Sequence, residues 1–504
     1  MSQQPLPSGG VSRETKTLVR HTAIYTVGTL LRNLASIIML PIYTRHLSPS
    51  DYGVIELLST TVDLFAVVFG LRVGEAIFRY HANYQETRDK NEVISTALIL
   101  VAGLTLFGLL LIWVFGRELS LVAFGTTRRA TELRLYGLTL PLAAIIELVF
   151  ISLRAEQRAW SFVVLSTLRL TLQLGFNIYF VVLEQMRVIG VVYSALLSGS
   201  IMVAVLTVYM LSRTGLRFSS NKAREFVAFS WPLVLSAIAT FFFTSSDRYF
   251  LRHFGDVAEV GIYSLGYQFG YMLLAVGWSP FAGIWDSQRY VVLKSADPQR
   301  LFNNTFVVMS AILIFGALGI SIFSKDVLRI MSSRHFWRAY QVVPMIVTAY
   351  VFQAWTSFSN VGLLLRGKTL HMFFATIVAA LVASTGYVIL IPRYGAIGAS
   401  IATLFGFITR FTWIYSASQS AYNMGLRWWK VIKIGVVAVA VYLVSPFVPA
   451  GIVWAIALHA VEMVVFIALL LMLPVFDEQE RSRILALIRN PRAIRAIFTE
   501  VRES

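Results

Sequence analysis

Apolar segments of about 20 residues recur along the whole chain, and they restrict it to folds that a membrane can hold. A helix needs about 20 apolar residues to cross the hydrocarbon core, so each segment is long enough for one crossing. The segments lie near residues 20–43, 51–71, 93–115, 132–153, 159–183, 188–211, 226–250, 257–284, 301–323, 341–365, 370–391, 395–418, 431–448 and 452–473. Charged residues make up only 14% of the chain, whereas soluble domains hold about a quarter. The pattern predicts an all-α polytopic membrane protein with about fourteen transmembrane helices.

Lysines and arginines are unevenly distributed over the links between these segments. Links on the same side as the N-terminus hold about twice as many of them as the links on the other side. The positive-inside rule therefore predicts that both termini are cytoplasmic. Two links on the outer side, 117–134 and 325–338, are basic and do not follow the rule. The net charge of +17 is spread over short links, so nucleic acid is not expected as a partner.

Two phrases of the sequence repeat at a fixed separation. The phrase RHL…DYGVI around Gly53 matches RHF…EVGIY around Gly261, and these two glycines are 208 positions apart. Gly190 and Gly398, in the similar phrases IGVVYSA and IGASIA, are again 208 positions apart. Shared composition alone would give matches at random separations, so we infer a duplicated unit of six helices. Six is an even number, which predicts two parallel six-helix lobes around a central cavity, followed by a C-terminal helix pair.

The repeat and the links together predict the organisation of the chain. The N-terminal tail and the link between the lobes are polar and basic, and the C-terminal tail is a basic amphipathic segment that we expect on the inner membrane surface. A helix that binds a partner is the alternative for this last segment. The predicted parts are a cytoplasmic tail at 1–19, the N-lobe at 20–211, the inter-lobe link at 212–224, the C-lobe at 225–418, the helix pair at 430–473 and a cytoplasmic amphipathic tail at 477–504.

Charges inside apolar segments mark candidate functional positions, because hydrocarbon cannot solvate them. Arg32 lies midway along the first segment, too far from either end to reach the headgroups, and is predicted to face a cavity. Arg72 and Glu75 share one helix face at the inner end of the second segment. The alternative is that the side chains of Arg72 and Arg79 reach the cytoplasmic headgroups while Glu75 pairs locally. Asp63 lies within the second segment and has no acidic counterpart in the second copy.

The second copy has its own intramembrane charges. Asp247 and Arg248 end the seventh segment, and Asp286 lies near the position that corresponds to Glu75. Carboxylates are the usual intramembrane relay groups, so Asp63, Glu75, Asp247 and Asp286 are candidates for proton coupling or sugar contacts. A plain ion pair at a helix end is the alternative for Asp247 and Arg248.

Catalytic signatures are weak or missing in the sequence. His46 and Asp51 have the His-x4-Asp spacing of some acyltransferases, but the second copy repeats the Arg-His phrase without this spacing. The sequence has no HExxH, GxSxG or P-loop pattern and no cysteine. We therefore predict no catalytic residue, metal site or cofactor, and a transporter rather than an enzyme.

Several phrases resemble one family of membrane transporters. They are LLRNLASIIMLPIYTRHLSPSDYGVIELL, GLRVGEAIFRY, FSWPLVLSAIATFFFTSSDRYFLRHF, VGIYSLGYQF and YGAIGASIATL. These runs are similar to the polysaccharide transporter, or O-antigen flippase, family of the multidrug, oligosaccharidyl-lipid and polysaccharide exporter superfamily. The resemblance covers residues 16–475. It implies fourteen helices in two lobes plus a final pair, in the bacterial cytoplasmic membrane.

The resemblance also implies a substrate, undecaprenyl-diphosphate-linked oligosaccharide, which moves from the inner to the outer leaflet by alternating access for O-antigen, capsule or exopolysaccharide synthesis. Its implied partners are membrane lipid, a glycan polymerase and a chain-length regulator. Arginine donates two hydrogen bonds to phosphate oxygens, so Arg32, Arg72 and Arg248 are expected to bind the diphosphate and glycan. Coupling to an ion gradient is expected because the sequence has no nucleotide-binding pattern.

Two other classes of protein stay open at this point. A drug or cation exporter of the same superfamily would have an acidic cavity, which the arginines argue against. A membrane-embedded glycan polymerase or glycosyltransferase would need a larger external loop with acidic catalytic residues, whereas the outer links here are short and basic.

Overall fold

The computed structural model describes residues 38–84, 86–445 and 451–472, and these residues are almost entirely helical. In chain order the helices are α1 (38–46), α2 (Pro49–Phe69), α3 (Val73–Asn83), α4 (Thr87–Val114), α5 (Gly116–Phe124), α6 (Ala130–Gly137), α7 (Thr139–Ala155), α8 (Ala159–Asn177), α9 (Arg187–Thr214), α10 (Ser220–Ser245), α11 (Asp247–Phe254), α12 (Val257–Leu273), α13 (Ser279–Val292), α14 (Pro298–Met331), α15 (Val343–Ser359), α16 (Val361–Leu365), α17 (Leu370–Ala421), α18 (Trp428–Val444) and α19 (Ile452–Met472). Short π-helical turns follow α8 and α12, and 3₁₀ turns precede α6 and α15. The tails predicted at 1–19 and 477–504 lie outside the described residues.

The described ranges contain nine helices that are long and apolar enough to cross a membrane, or ten if one bent pair is counted as a single span. Each predicted segment after the first falls mainly on helix wherever the chain is described. Helix α17 covers two predicted segments, 370–391 and 395–418. Its backbone is broken between them at Gly395, where φ is 54°. The all-α membrane fold is therefore confirmed, while the count of fourteen spans stays a prediction.

The chain divides into two compact units, with the boundary between Ser264 and Leu265. This division does not test the lobe boundaries predicted at residues 211 and 225, which stay a prediction. In the first unit, buried aliphatic and aromatic side chains of α3, α4, α7 and α10 form one core cluster. In the second unit, the stacked rings of Trp285 and Phe358, with centroids 4.5 Å apart, lie among further aromatic side chains of α14, α15 and α18.

The duplication is visible in the backbone at the starts of α2 and α12. These helices begin 208 positions apart, at Pro49 and Val257. In the first copy the Ser48 hydroxyl accepts a hydrogen bond from the Asp51 amide at 3.1 Å. In the second copy an Asp256 carboxylate oxygen accepts one from the Glu259 amide at 2.7 Å. Both helices thus use the same N-terminal hydrogen bond at the separation that the sequence repeat predicts.

Left-handed residues recur at the same separation. Arg187 precedes the Gly190 phrase with φ of 50°, and Gly395 precedes the Gly398 phrase with φ of 54°. The first copy has an arginine at this position, and its guanidinium binds the Asp51 carboxylate, with Nη2 to Oδ2 at 2.6 Å. The second copy has a glycine, which adopts this conformation without steric cost. The ion pair is therefore a feature of the first copy.

The two basic outer links have local partners for several of their cations. In the first link, Arg134 Nε donates a hydrogen bond to the Trp113 carbonyl near the end of α4, at 2.9 Å. In the second link, Arg329 and Arg334 each lie 5.7 Å from the ring of Trp337. Helix C-termini and aromatic faces both attract cations. Several arginines of both links thus have local partners within the protein.

The predicted inter-lobe link is tied to the start of α4. Lys222 Nζ lies 3.2 Å from a carboxylate oxygen of Asp89 and 3.1 Å from one of Glu92. Two backbone amides of the link, those of Arg217 and Ser219, donate hydrogen bonds to hydroxyls of α4. The link thus has a defined path along α4.

Gly53 and Gly261 bring the starts of α2 and α12 into backbone contact. A Cβ on Gly53 would clash with the Val257 carbonyl oxygen, and one on Gly261 would clash with the Pro49 carbonyl oxygen. Neither backbone atom can move aside as a flexible side chain would. The two glycines that define the repeat are therefore needed for this close approach.

We expect Gly53→Ala and Gly261→Ala each to lower stability by about 1–3 kcal/mol, because the added methyl group forces the helices apart. The matched control is Gly103→Ala in α4, where no atom of the described residues lies within 4 Å of the added Cβ. Thermal unfolding of the purified protein, followed by tryptophan fluorescence, measures the difference. Equal melting temperatures for the three variants would contradict the close approach.

Candidate functional site

Helix α2 places acidic side chains on one face of a membrane span. Glu56, Ser59 and Asp63 are three and four residues apart, so they lie one above the other on the helix. We call these three residues the acidic face of α2. The Ser59 hydroxyl donates a hydrogen bond to an Asp63 carboxylate oxygen at 3.2 Å. The acidic face is the first part of the candidate site.

A tyrosine of α6 lies against this face. Tyr136 hydrogen-bonds with Ser59 and lies within electrostatic range of Glu56 and Asp63. On α2 itself, the Thr61 hydroxyl lies 2.9 Å from the hydroxyl of Tyr249 on α11. Hydroxyl groups from two other helices thus surround a pair of carboxylates inside a span.

The predicted pair Asp247 and Arg248 forms a buried ion pair at the start of α11. Arg248 Nη1 lies 2.8 Å from Asp247 Oδ1, with side-chain exposures of 7% and 1%. The Tyr263 hydroxyl donates to the other carboxylate oxygen of Asp247 at 2.7 Å, and Arg248 also donates to the Thr244 carbonyl at 3.0 Å. Both side chains thus have several partners within the first unit.

The ion pair and the acidic face belong to one electrostatic cluster. Glu56 lies within range of the charges of Asp63, Asp247 and Arg248, and it neighbours Ser264. Three carboxylates therefore share one guanidinium. Asp63 is exposed and Glu56 is half-buried, so their carboxylate oxygens can take up protons or accept hydrogen bonds from a ligand.

The C-terminal end of α2 is followed by a sharp break in the span. Leu71 and Arg72 both have left-handed backbones, with φ of 52° and 48°, which costs of order 1–3 kcal/mol for each non-glycine residue. Arg72 Nη2 lies 2.8 Å from Glu75 Oε1 just after this break, and the side chains are 52% and 46% exposed. Arg72 and Glu75, which the sequence predicts on one helix face, thus form an accessible ion pair beside a strained turn.

The remaining predicted residues lie elsewhere. Asp286, in the second unit, lies 3.2 Å from Arg289, which also donates to the side chain of Asn360 at 3.1 Å. Arg32 lies outside the described residues. The structure therefore brings Asp63, Asp247 and Arg248 together and pairs Arg72 with Glu75, while Asp286 has its own partners.

Glu56 is the member of the cluster that sequence reasoning missed. It lies seven residues before Asp63 in the same apolar segment, which is two helical turns and hence the same face. This spacing was the available signal.

The arrangement can accept hydrogen bonds and protons. Carboxylates accept from hydroxyl groups on a ligand, and tyrosine hydroxyls both donate and accept. The described residues contain no group of three or more His, Cys, Asp or Glu that fits a metal ion. The cluster offers a ligand charge and hydrogen bonds.

These features define a multi-pass helical membrane protein with a duplicated unit and a polar cluster inside its spans. Residues 18–283 match a family model described as "Polysaccharide biosynthesis protein". The match covers more than half of the chain, and the chain belongs to this family.

One similar curated protein is an uncharacterized membrane protein of Haemophilus influenzae, 24% identical over 268 residues. That match covers 51% of this chain and 61% of the relative, so the chain spans about three fifths of its length. The relative therefore supports a membrane protein and nothing finer.

Solved structures share the fold. The lipid II flippase MurJ in an inward closed conformation matches with a TM-score of 0.71 at 11% identity, over 90% of this chain and 98% of that chain. An inward-facing multidrug resistance MATE family transporter of the MOP superfamily matches with a TM-score of 0.62 at 16% identity, over 78% of this chain and 94% of that one. The predicted resemblance is thus confirmed by the family model, and the fold is similar to that of these two transporters.

We expect Asp247→Asn to lower stability by about 3–5 kcal/mol, because it leaves the buried charge of Arg248 without its carboxylate. The matched control is Glu132→Gln, which breaks a more accessible ion pair with Arg129 and is worth about 0–1 kcal/mol. Unfolding of both variants in detergent measures the difference. A loss for Asp247→Asn no larger than for the control would show that the pair is not buried as described.

Proposed function

We propose that this protein is a flippase for undecaprenyl-diphosphate-linked oligosaccharide, which it moves from the inner to the outer leaflet of the bacterial cytoplasmic membrane. The polar cluster around the acidic face of α2 is the observation that carries the proposal, because it offers sugar-binding groups inside a span of a polysaccharide-biosynthesis protein. The glycan would serve O-antigen, capsule or exopolysaccharide synthesis. The fold shared with a lipid II flippase supports the same class of substrate.

The acidic face of α2 would bind the sugars. A glycan presents many hydroxyl donors, and the carboxylates of Glu56 and Asp63 are acceptors that a hydrocarbon environment leaves short of partners. Tyr136 adds a hydroxyl and an aromatic face beside them. On binding, sugar hydroxyls would replace water as hydrogen-bond donors to these carboxylates.

Arginines would bind the diphosphate. Arg72 is the best placed of the described candidates, because half of its side chain is exposed and its ion-pair partner, Glu75, is itself accessible. An arginine fork holds phosphate oxygens with two parallel hydrogen bonds. Arg248 would first have to give up contacts with Asp247 and Thr244, and Arg32 stays a sequence-based candidate. The isoprenoid tail would stay in the bilayer.

Transport would proceed by alternating access and would be driven by an ion gradient. Both termini would be cytoplasmic, which puts the break at Leu71 and Arg72 on the side where the substrate enters. Glu75 and Asp286 are further candidates for sugar contacts or coupling, since both side chains are accessible. A glycan polymerase and a chain-length regulator would act on the product.

Export of a drug or another cation is the second candidate function. It is favoured by the cluster itself, in which three carboxylates share the single guanidinium of Arg248, and by the fold shared with a multidrug transporter. Efflux of a cationic dye from cells that express the chain tests it. Dye efflux without glycan export would replace the flippase proposal.

We expect Arg72→Ala to abolish export of the glycan in cells that lack the chromosomal gene, because the diphosphate loses its partner. Arg72→Lys should restore only part of the export, since lysine binds phosphate without the two-pronged geometry. Arg79→Ala on the same helix is the control, since Arg79 packs against the ring of Phe229 at 4.8 Å. Surface glycan is measured at matched protein levels in the membrane. Unchanged export in Arg72→Ala would remove this residue from the mechanism.

We expect Glu56→Gln and Asp63→Asn to slow glycan export by about tenfold or more, since hydrogen bonds to a charged acceptor are worth about 1.5–3 kcal/mol. Glu118→Gln is the control, because Glu118 is an exposed carboxylate on α5 of the same unit. Export at full rate in both acidic-face variants would show that sugars bind elsewhere.

A further inference from the structure

Helices α14 and α19 of the second unit pack against each other in opposite directions. The rings of Phe315 and Phe466 lie 6.1 Å apart, and Met463 packs over Gly319. One helical turn further along, the ring of Phe323 lies edge-on to His459 at 5.7 Å. The contact surface is apolar up to this point.

A carboxylate and an imidazole meet at the end of this apolar surface. His459 Nδ1 lies 2.7 Å from Asp326 Oδ2, and the two side chains are 6% and 3% exposed. On the other side of the ring, His459 Nε2 lies 3.4 Å from the hydroxyl of Ser445 at the end of α18. The pair therefore joins α19 to α14 and lies beside α18, within three apolar helices.

A second carboxylate completes the cluster. Glu462 lies one helical turn after His459, near the midpoint of α19, and it is within electrostatic range of the imidazole. Its Oε2 is buried and has no hydrogen-bond partner among the described residues. A carboxylate in this position is stable when protonated or when a cationic imidazole compensates it.

Counting protons shows what this cluster can do. Two carboxylates and one imidazole are neutral together only when they share two protons. Loss of one proton leaves a single negative charge inside the spans, and loss of both leaves two. Each uncompensated negative charge is costly in hydrocarbon, so the number of protons bound to the cluster responds to the state of the groups around it.

We infer that Asp326, His459 and Glu462 form a proton-binding site that couples transport to the proton gradient. The inference rests on the proposed function and names its coupling ion. An interhelical hydrogen bond needs only the pair of Asp326 and His459. The third group, Glu462, adds a buried carboxylate oxygen that has no hydrogen-bond partner among the described residues, which a purely structural contact would not need.

The groups facing the imidazole are few. From α14 the titratable neighbour is Asp326, from α18 the neighbour is the non-titrating hydroxyl of Ser445, and from α19 itself it is Glu462. Lys325, next to Asp326 in sequence, lies 5.6 Å from the ring of Tyr340 instead. The proton balance therefore depends on the two carboxylates.

The direct test is the titration of His459 in the full chain, reconstituted in nanodiscs with histidine labelled by ¹³C and ¹⁵N. The chain has seven histidines, and comparison with His459→Gln assigns the signal. Spectra are recorded between about pH 5 and about pH 8, and we expect the His459 ring signals to change with pH and Glu462→Gln to alter that change, because the neighbouring carboxylate is gone. A His459 signal that stays in one protonation state over this range, or that Glu462→Gln does not move, would overturn the inference.

A transport assay distinguishes failure of this inference from failure of the proposed function. In proteoliposomes with lipid-linked glycan, Glu462→Gln and Asp326→Asn should lose the stimulation that an imposed proton gradient gives to the unaltered protein. His371→Gln is the control, because His371 is a half-buried histidine of α17 in the same unit. Variants that keep full stimulation would overturn the proton site and leave the flippase intact. A protein that moves no glycan but shows the expected titration would overturn the flippase and keep the proton site.

Discussion

The cost of placing charge in hydrocarbon decides where the ionised side chains of the described spans lie. A lone charge at the centre of a bilayer costs several kcal/mol or more, so each one needs a partner inside the protein. Arg248 and Asp247 meet this need with each other and with Tyr263. Asp326 meets it with His459 across two helices. Glu56 and Asp63 on α2 are less completely paired, so they are the strongest candidates for binding a ligand.

Much of the fold follows from the sequence because membranes impose few solutions. Spans must be long and apolar, and a duplicated unit must place its special backbone positions at one separation. Both conditions are readable from residues alone, which is why Gly53 and Gly261 pointed to equivalent helix starts that the structure places 208 positions apart. The break at Leu71 and Arg72 was not readable, because non-glycine residues rarely adopt left-handed backbones.

The candidate site was only partly predictable for a different reason. Asp63, Asp247 and Arg248 were visible as charges in apolar segments, but their meeting depends on tertiary packing between helices far apart in the sequence. Glu56 escaped attention although its spacing from Asp63 fits one helix face. The contact between Asp326 and His459 joins residues 133 positions apart, and no local pattern marks it. Charge in an apolar segment identifies candidate residues, and packing between helices decides which of them come close to each other.

The two units suggest different tasks for their buried charges. The first unit has an acidic, hydroxyl-rich cluster on α2 and an accessible arginine at the broken end of the span, which suits a substrate that combines sugars with a diphosphate. The second unit has a carboxylate–imidazole cluster at the contact between α14 and α19. Substrate binding and ion binding would thus be divided between the two units of the chain.

Reconstitution of the purified protein with undecaprenyl-diphosphate-linked oligosaccharide tests the central claim most directly. Glycan that appears on the opposite leaflet is measured by its accessibility to an added glycosidase. The account predicts faster translocation than in protein-free vesicles, and no efflux of a cationic dye from the same vesicles. Translocation at the protein-free rate, with dye efflux driven by the gradient, would contradict it.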